Sequence, residues 1–219
     1  MKKTLTFTFV ILVLYPFANL IAKQPILNEE YILMDVTQDN FEGKTEVIEF
    51  FSYACIHCYQ FEPKLGSWLK STSADMSFKQ IPAVFSNRMI PLAKLYYTLE
   101  ELGKLSDFHD LVYETIHIKK NKIFSKKDIL DWVSTKSEIE YDKFVATYNS
   151  FSIGKKANLA KQLTRKFKIP GTPYITIGGR YLTGPSMITQ QNSNNPQGAD
   201  DGHGRLFEVV ESLIKMTAN

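Results

Sequence analysis

Only two cysteines occur in the 219 residues, Cys55 and Cys58, with two residues between them. That scarcity excludes a scaffold stapled by disulfides, because such bridges stabilise by closing long loops of the unfolded chain and a loop this short constrains almost nothing. The pair is read as reactive rather than structural. An excess of one charge sign is also missing, with 26 Lys and Arg against 23 Asp and Glu. Residues 1–22 hold two of the lysines and no acid, so without them the count is 24 against 23. For a chain this close to neutral the overall charge gives no sign of the clustered basic face that nucleic acid requires, and no nucleic-acid partner is expected. The lysine pairs Lys119-Lys120 and Lys126-Lys127 are read as solvated helix ends.

Low-complexity tracts and internal repeats are absent, and a composition of 44% hydrophobic and 22% charged residues is that of a globular protein. Neither a glycine-rich phosphate loop nor a Ser-His-Asp pattern is present, and no cofactor is expected. A long uncharged run occurs once, from Thr4 to Ala22, after the basic start Met1-Lys2-Lys3. Basic start, apolar stretch and small residues before Lys23-Gln24-Pro25 read as a signal peptide, with Ala22 and Ala18 as candidate cleavage positions. An uncleaved anchor is the rival reading, which Pro16 and Asn19 weaken. Either reading exports the rest of the chain.

Strand formers run through Glu46–Tyr53, with a weaker strand pattern at Tyr31–Val36 and another at Met76–Val84. After Cys58, the residues Tyr59, Phe61, Leu65, Trp68 and Leu69 fall at helical spacing, and Pro63 inside that pattern is expected to kink the helix. Residues 89–168 are helical throughout. A first helix ends at Gly103 and a second carries Phe108, Leu111, Val112 and Ile116. Ser125 with Asp128 resembles a helix cap, Ser137 with Glu140 reads as a capping box, and a last helix spans about 153–167. Tyr174–Ile177 and Arg180–Thr183 read as a hairpin across Gly178-Gly179. Gln190–Gly204 reads as an exposed loop and Arg205–Met216 as a closing amphipathic helix. The expected organisation is a signal segment at 1–22, one α/β domain split between 23–88 and 169–219, and a helical insertion at 89–168.

Disulfide exchange needs an exposed thiolate, a second thiol within reach and an environment that holds negative charge on sulfur. Cys55 falls where a strand ends and a helix begins, facing free backbone N–H groups and the positive end of the helix dipole. His57, between the cysteines, adds a proton donor or a positive charge, and Cys58 is expected to be the buried resolving thiol. Structural zinc would need four ligands, and only His109, His117 and His203 remain to complete a set, so no metal is expected. Covalent haem attachment is excluded because Tyr59, not histidine, follows Cys58. An idle surface dithiol fits poorly with the strand-to-helix placement.

The stretch Glu49-Phe50-Phe51-Ser52-Tyr53-Ala54-Cys55-Ile56-His57-Cys58-Tyr59-Gln60-Phe61-Glu62 resembles the active-site segment of the DsbA family of thiol-disulfide interchange proteins. Gly171-Thr172-Pro173-Tyr174 is similar to the loop whose cis-proline faces the active-site disulfide in thioredoxin folds. The resemblance implies an α/β thioredoxin fold with a helical domain inserted between its third strand and the cis-proline strand. It implies a periplasmic enzyme that donates its Cys55-Cys58 disulfide to exported proteins with reduced cysteines, and a DsbB-type membrane protein that reoxidises it. By the same resemblance Cys55 is the nucleophile, Cys58 the partner thiol and His57 the residue that stabilises the reduced form, while Ile56, Thr172 and Pro173 line the substrate-binding surface. Glu49 occupies the place of an acid beneath the family's active site; a proton relay to Cys58 and a plain edge or surface carboxylate are its two readings. Ile56 departs from the proline most often found between the family's cysteines, which points to a milder oxidant. The loop at 190–204 is a second departure.

Two other roles compete, an isomerase or reductase and a peptide-binding chaperone without redox chemistry. Only Lys23–Thr45 precede the main strand, too little for the dimerisation domain of periplasmic isomerases, so a monomer is expected. The remaining aromatics, and His109 and His117, read as packing residues unless the insertion folds over Cys55.

Overall fold

The computed structural model of the chain describes residues 23–36, 43–192 and 203–217. The uncharged run at 1–22 and positions 193–202 of the expected loop lie outside the described residues. The weak strand pattern near Tyr31 yields only a short β1 (Ile32–Leu33), and the stronger run yields β2 (Thr45–Phe51). The chain then turns through Ser52–Cys55 into α1 (Ile56–Ser71) and returns as β3 (Met76–Pro82), which pairs with β2 in parallel. Helix α1 passes through Pro63 as one element and buries Cys58, Phe61, Leu65 and Trp68, so its apolar stripe outweighs the lost backbone bond at the proline.

A single 3₁₀ turn at Asn87–Met89 leads into five helices: α2 (Ile90–Glu101), α3 (Leu105–His117), α4 (Lys126–Val133), α5 (Tyr141–Asn149) and α6 (Phe151–Lys166). The sheet resumes with β4 (Tyr174–Ile177) and β5 (Tyr181–Thr183), followed by α7 (Pro185–Asn192) and α8 (His203–Thr217). Strand order is β1-β5-β4-β2-β3, antiparallel at every pairing except β2 with β3. Both residues of the Gly178-Gly179 turn have positive φ, 56° and 64°, the backbone that a tight hairpin needs and that a side chain resists. A Cβ at Gly178 would also stand 2.7 Å from the Thr217 methyl.

Central β2 is covered on both faces, which explains its nearly unbroken apolar run. Val47 packs with Phe61, Leu65 and Trp68 of α1 and with Leu206, Val210 and Leu213 of α8. Ile48 and Phe50 point the other way, against Ala93, Ala157, Ala160 and Phe167 of the insertion's helices and the turn after α6. A third core joins Phe51, Tyr53 and Cys58 to the helices α2–α5. The insertion is therefore packed directly on the cysteine segment.

Two expectations are corrected. The capping box lies at Ser125 and Asp128, where side chain and backbone bond reciprocally, and not at Ser137 and Glu140. Glu140 is itself the residue preceding α5 and makes no side-chain cap, because buried Ile139 anchors the chain there and delays the helix to Tyr141. The polar stretch expected to be loop from Gln190 begins inside α7, a helix hidden from periodicity because Ser186, Thr189 and Gln190 surround a single deeply buried apolar residue, Ile188.

An ion pair ties the N-terminal segment to α8. Arg205 grips both carboxylate oxygens of buried Glu30 at 2.8 and 2.7 Å and reaches the Lys23 and Gln24 carbonyls. Burial alone would raise the Glu30 carboxyl, but the Arg205 hydrogen bonds and charge hold it below the ordinary value. Arg205→Ala leaves that carboxylate buried without its cation, so urea unfolding at pH 7 should show a loss of about 3 kcal/mol. A depressed carboxyl contributes stability that is present above its unfolded pKa and lost as pH falls through the folded one, so the gap to the native protein should narrow on acidification.

Candidate active site

Cys55 precedes the first residue of α1 in an extended conformation, φ −92° and ψ 118°, with no side chain capping the helix. The free N–H groups of the first turn, including those of His57 and Cys58, therefore remain available to the Cys55 sulfur. Both cysteines are free thiols, and the geometry is that of the dithiol form. The half-buried Cys55 sulfur lies 3.2 Å from the Thr172 carbonyl oxygen, a contact in which only its protonated form donates. Thr172 is brought there by a cis peptide bond to Pro173, at the entrance to β4, the antiparallel neighbour of β2. A hydrogen bond from the Cys58 thiol is the largest cause that lowers Cys55 to a pKa of about 5, aided by the Thr172 side chain and the helix N–H groups against the cost of burial.

Cys58 lies one turn into α1 with no exposed surface, and its sulfur accepts from the Ser52 N–H at 3.4 Å. Burial, the bond to Cys55 and the nearby Glu49 carboxyl push its pKa far up. One motif thus holds a thiolate and a protonated thiol side by side. This is the asymmetry that exchange demands, an attackable or attacking sulfur at the surface and a resolving thiol that waits beneath it.

Glu49 is fully buried on central β2, on the face that carries α1, so an edge or surface position does not apply. Its Oε2 accepts from Gln80 Nε2 at 2.8 Å, the residue directly across the β2–β3 ladder, while Oε1 has no hydrogen-bond partner. Burial first, and then the charge of Glu62, raise its pKa well above the ordinary carboxyl value. His57 and Ile56 are exposed on the first turn of α1, Ile56 with 41% of its surface accessible. His57 and Gln60 from α1, Thr172 and Pro173 from the cis loop, and Pro185, Ser186 and Thr189 from α7 line a groove of ≈ 300 Å³ beside the thiol. The α7 wall of that groove was not legible in the sequence, since α7 itself was not. His109 and His117, read as packing residues, do approach the motif because the insertion folds onto it. His117 Nε2 is 2.8 Å from the Tyr53 carbonyl oxygen with its ring stacked on Tyr59, and His109 Nδ1 is 2.9 Å from the Tyr53 hydroxyl. Among the described residues no group of three His, Cys, Asp or Glu side chains is placed to hold a metal ion.

Comparison with known proteins decides the family. Over 172 residues the chain is 39% identical to the thiol:disulfide interchange protein DsbA of Bordetella parapertussis, covering 78% of this chain and 76% of that one. The chain belongs to the DsbA family of thiol:disulfide interchange proteins. DsbA of Pseudomonas aeruginosa is 35% identical over 139 residues, 64% of this chain and 65% of that one. Its crystal structure superposes with a TM-score of 0.76 at 28% identity over 88% of this chain and 94% of that one. The oxidoreductase NmDsbA1 of Neisseria meningitidis shares the fold, with a TM-score of 0.70 over 87% of this chain and 94% of that one, at 23% identity. No protein-family model matches the chain. The fold is the α/β thioredoxin fold with helices inserted between β3 and the cis-proline strand β4, and the protein is a thiol-disulfide oxidoreductase of the DsbA type.

The depressed Cys55 thiol has a measurable signature. Absorbance of thiolate near 240 nm in the reduced protein should titrate with a midpoint near pH 5, and the oxidised protein should show no such step. A thiol whose folded pKa is lowered stabilises the fold above its unfolded pKa, and that contribution is lost as pH falls through the folded value. The reduced form should therefore gain stability relative to the oxidised form between pH 4 and pH 7, read as a rise with pH of its urea midpoint relative to that of the oxidised form.

Proposed function

We propose that this protein is a periplasmic donor of disulfides, transferring the Cys55-Cys58 disulfide to exported proteins that carry reduced cysteines. The observation that carries the direction is the low pKa of Cys55 beside a protonated Cys58. A stabilised thiolate favours the dithiol form of the enzyme, and an enzyme whose reduced form is favoured gives its disulfide away. In that reaction a client thiolate attacks the Cys55 sulfur and the sulfur–sulfur bond breaks toward Cys58, which takes up a proton. A second client thiolate then attacks the client sulfur of the mixed disulfide and releases Cys55 as a thiolate. The client loses two electrons and the cysteine pair gains them.

Within this reading Cys55 is the exchanging sulfur and Cys58 the partner thiol. Glu49 is the buried acid that hands a proton to Cys58 as it leaves, and accepts it back on reoxidation. His57 stands on the exposed first turn, where a positive charge adds to the helix field on the thiolate. Thr172 and Pro173 line the groove in which an extended client segment passes the thiol, and Ile56, exposed beside Cys55, offers that client an apolar contact. Ile56 in place of proline supports a poise milder than that of the strongest oxidants in the family. A DsbB-type membrane protein is the proposed reoxidant, the enzyme acts as a monomer, and residues 1–22 are the proposed export signal. No helix of the described residues is long and apolar enough to cross a membrane.

The redox state of Cys55 and Cys58 in intact cells tests the direction. Mostly disulfide is expected, and mostly dithiol would reverse the assignment to a reductant. Cys55→Ser should abolish oxidation of a reduced, unfolded client protein, whereas a chaperone role would survive it. Replacing Glu49 by Gln should leave the fold intact and change the pH dependence of the exchange rate; an unaltered profile would remove Glu49 from the mechanism.

A further inference from the structure

Beneath the cysteines a chain of polar groups runs from the interior toward the surface. Gln80 Nε2 donates to Glu49 Oε2 at 2.8 Å and stands 3.2 and 3.3 Å from the two carboxylate oxygens of Glu62, so one amide group bridges two acids. On the far side of Glu62, His109 of α3 brings Nε2 to 3.4 Å from Oε1, with only 10% of its side chain and 17% of that of Glu62 exposed. His109 Nε2 is buried and has no aligned hydrogen bond, and Glu49 Oε1 at the other end of the chain has none either. Unsatisfied buried polar atoms are uncommon where a side chain serves packing alone.

We propose that His109 is a positioning residue for disulfide exchange, its imidazole balancing the charge of Glu62 and, through the Gln80 bridge, that of Glu49 as it trades a proton with Cys58. The proposal rests on the Glu49 relay described above. When the disulfide opens, the electron pair goes to the Cys58 sulfur, Glu49 supplies the proton, and a carboxylate is left in the interior. Two carboxylates then share a single amide, an arrangement that like charges resist unless a cation stands nearby. His109 is the basic side chain that the structure places at ion-pair distance from Glu62, a cation when its ring is protonated.

Tyr53 fits either form of the ring. Its hydroxyl lies 2.9 Å from His109 Nδ1 and is able to donate to the neutral ring or to accept from the protonated one. In both states Nε2–H is left facing Glu62. Besides Phe51, which does not titrate, the rings around the imidazole are phenols: Tyr53 from the turn after β2, Tyr96 from α2 and Tyr113 from α3 itself. Burial raises all three phenols, which keeps them neutral. Asp110, the next residue on α3, is solvent-exposed. Glu62 is thus the charged neighbour through which His109 acts.

A set of variants in one assay, the pH dependence of the rate at which the oxidised enzyme oxidises a reduced client peptide, tests this. Glu49→Gln should remove one titration from the native profile. His109→Gln should move that titration upward by about half a pH unit, a charge effect transmitted across two side chains. Glu62→Gln should move it downward, because Glu62 adds to the upward pressure on Glu49. In the Glu62→Gln background, His109→Gln should have little further effect. A native profile in the His109→Gln protein, equal shifts in both backgrounds, or no shift from Glu62→Gln alone would each overturn the role of His109. The last of these needs no change at position 109, so it holds even where His109→Gln fails to fold. If Glu49→Gln itself leaves the profile unaltered, it is the relay reading that fails.

Discussion

The active-site chemistry depends on keeping two sulfurs one helical turn apart in opposite protonation states. A parallel β2–α1–β3 unit imposes this, because a strand that feeds a helix in such a unit delivers the helix N-terminus to the carboxyl end of the strand. Cys55 sits at that junction, among unpaired N–H groups that favour negative charge, while the next turn rotates Cys58 toward the sheet, where no solvent supports a thiolate. Burial and helix dipole act in opposite directions on residues of the same type. Neither cysteine could be moved by one position without losing this difference.

The rest of the molecule maintains that junction. The β4 strand brings the cis loop with Thr172 and Pro173 against Cys55 because it pairs antiparallel with β2. The insertion closes the opposite side, with Phe51, Tyr53 and Cys58 forming part of a core otherwise built from α2–α5. Helical insertion and thioredoxin sheet therefore share a core exactly where the chemistry takes place, and the buried acid on β2 has neighbours from both. Helix α7 adds the outer wall of the client groove, so the surface near the thiol is assembled from segments more than a hundred residues apart in the chain.

Much of this was legible in the residues. The Cys-x-x-Cys motif, its position after a strong strand and before a helical pattern, and the Gly171-Thr172-Pro173 segment identify both fold and chemistry. These are local signals: a strand whose apolar residues Val47, Ile48, Phe50 and Phe51 are broken only by Glu49, a helix with a regular stripe, a turn that demands two glycines. Helix α7 was missed because its apolar residues Met187 and Ile188 are adjacent and give no helical period, and Ile188 alone is deeply buried. The supposed capping box at Ser137 failed because Ile139, a core contact, sets where α5 begins.

The sequence by itself determined that two cysteines placed at a strand-to-helix junction exchange disulfides, since this follows from residue type, spacing and the free groups at a helix start. Tertiary structure alone decided what surrounds them. Whether Glu49 faced water or the interior depended on which strands flank β2, and the joining of Gln80, Glu62 and His109 into one chain depended on β3, α1 and α3 meeting there. Charges and protons respond to distance through space rather than along the chain, so their partners appear only once the chain has folded.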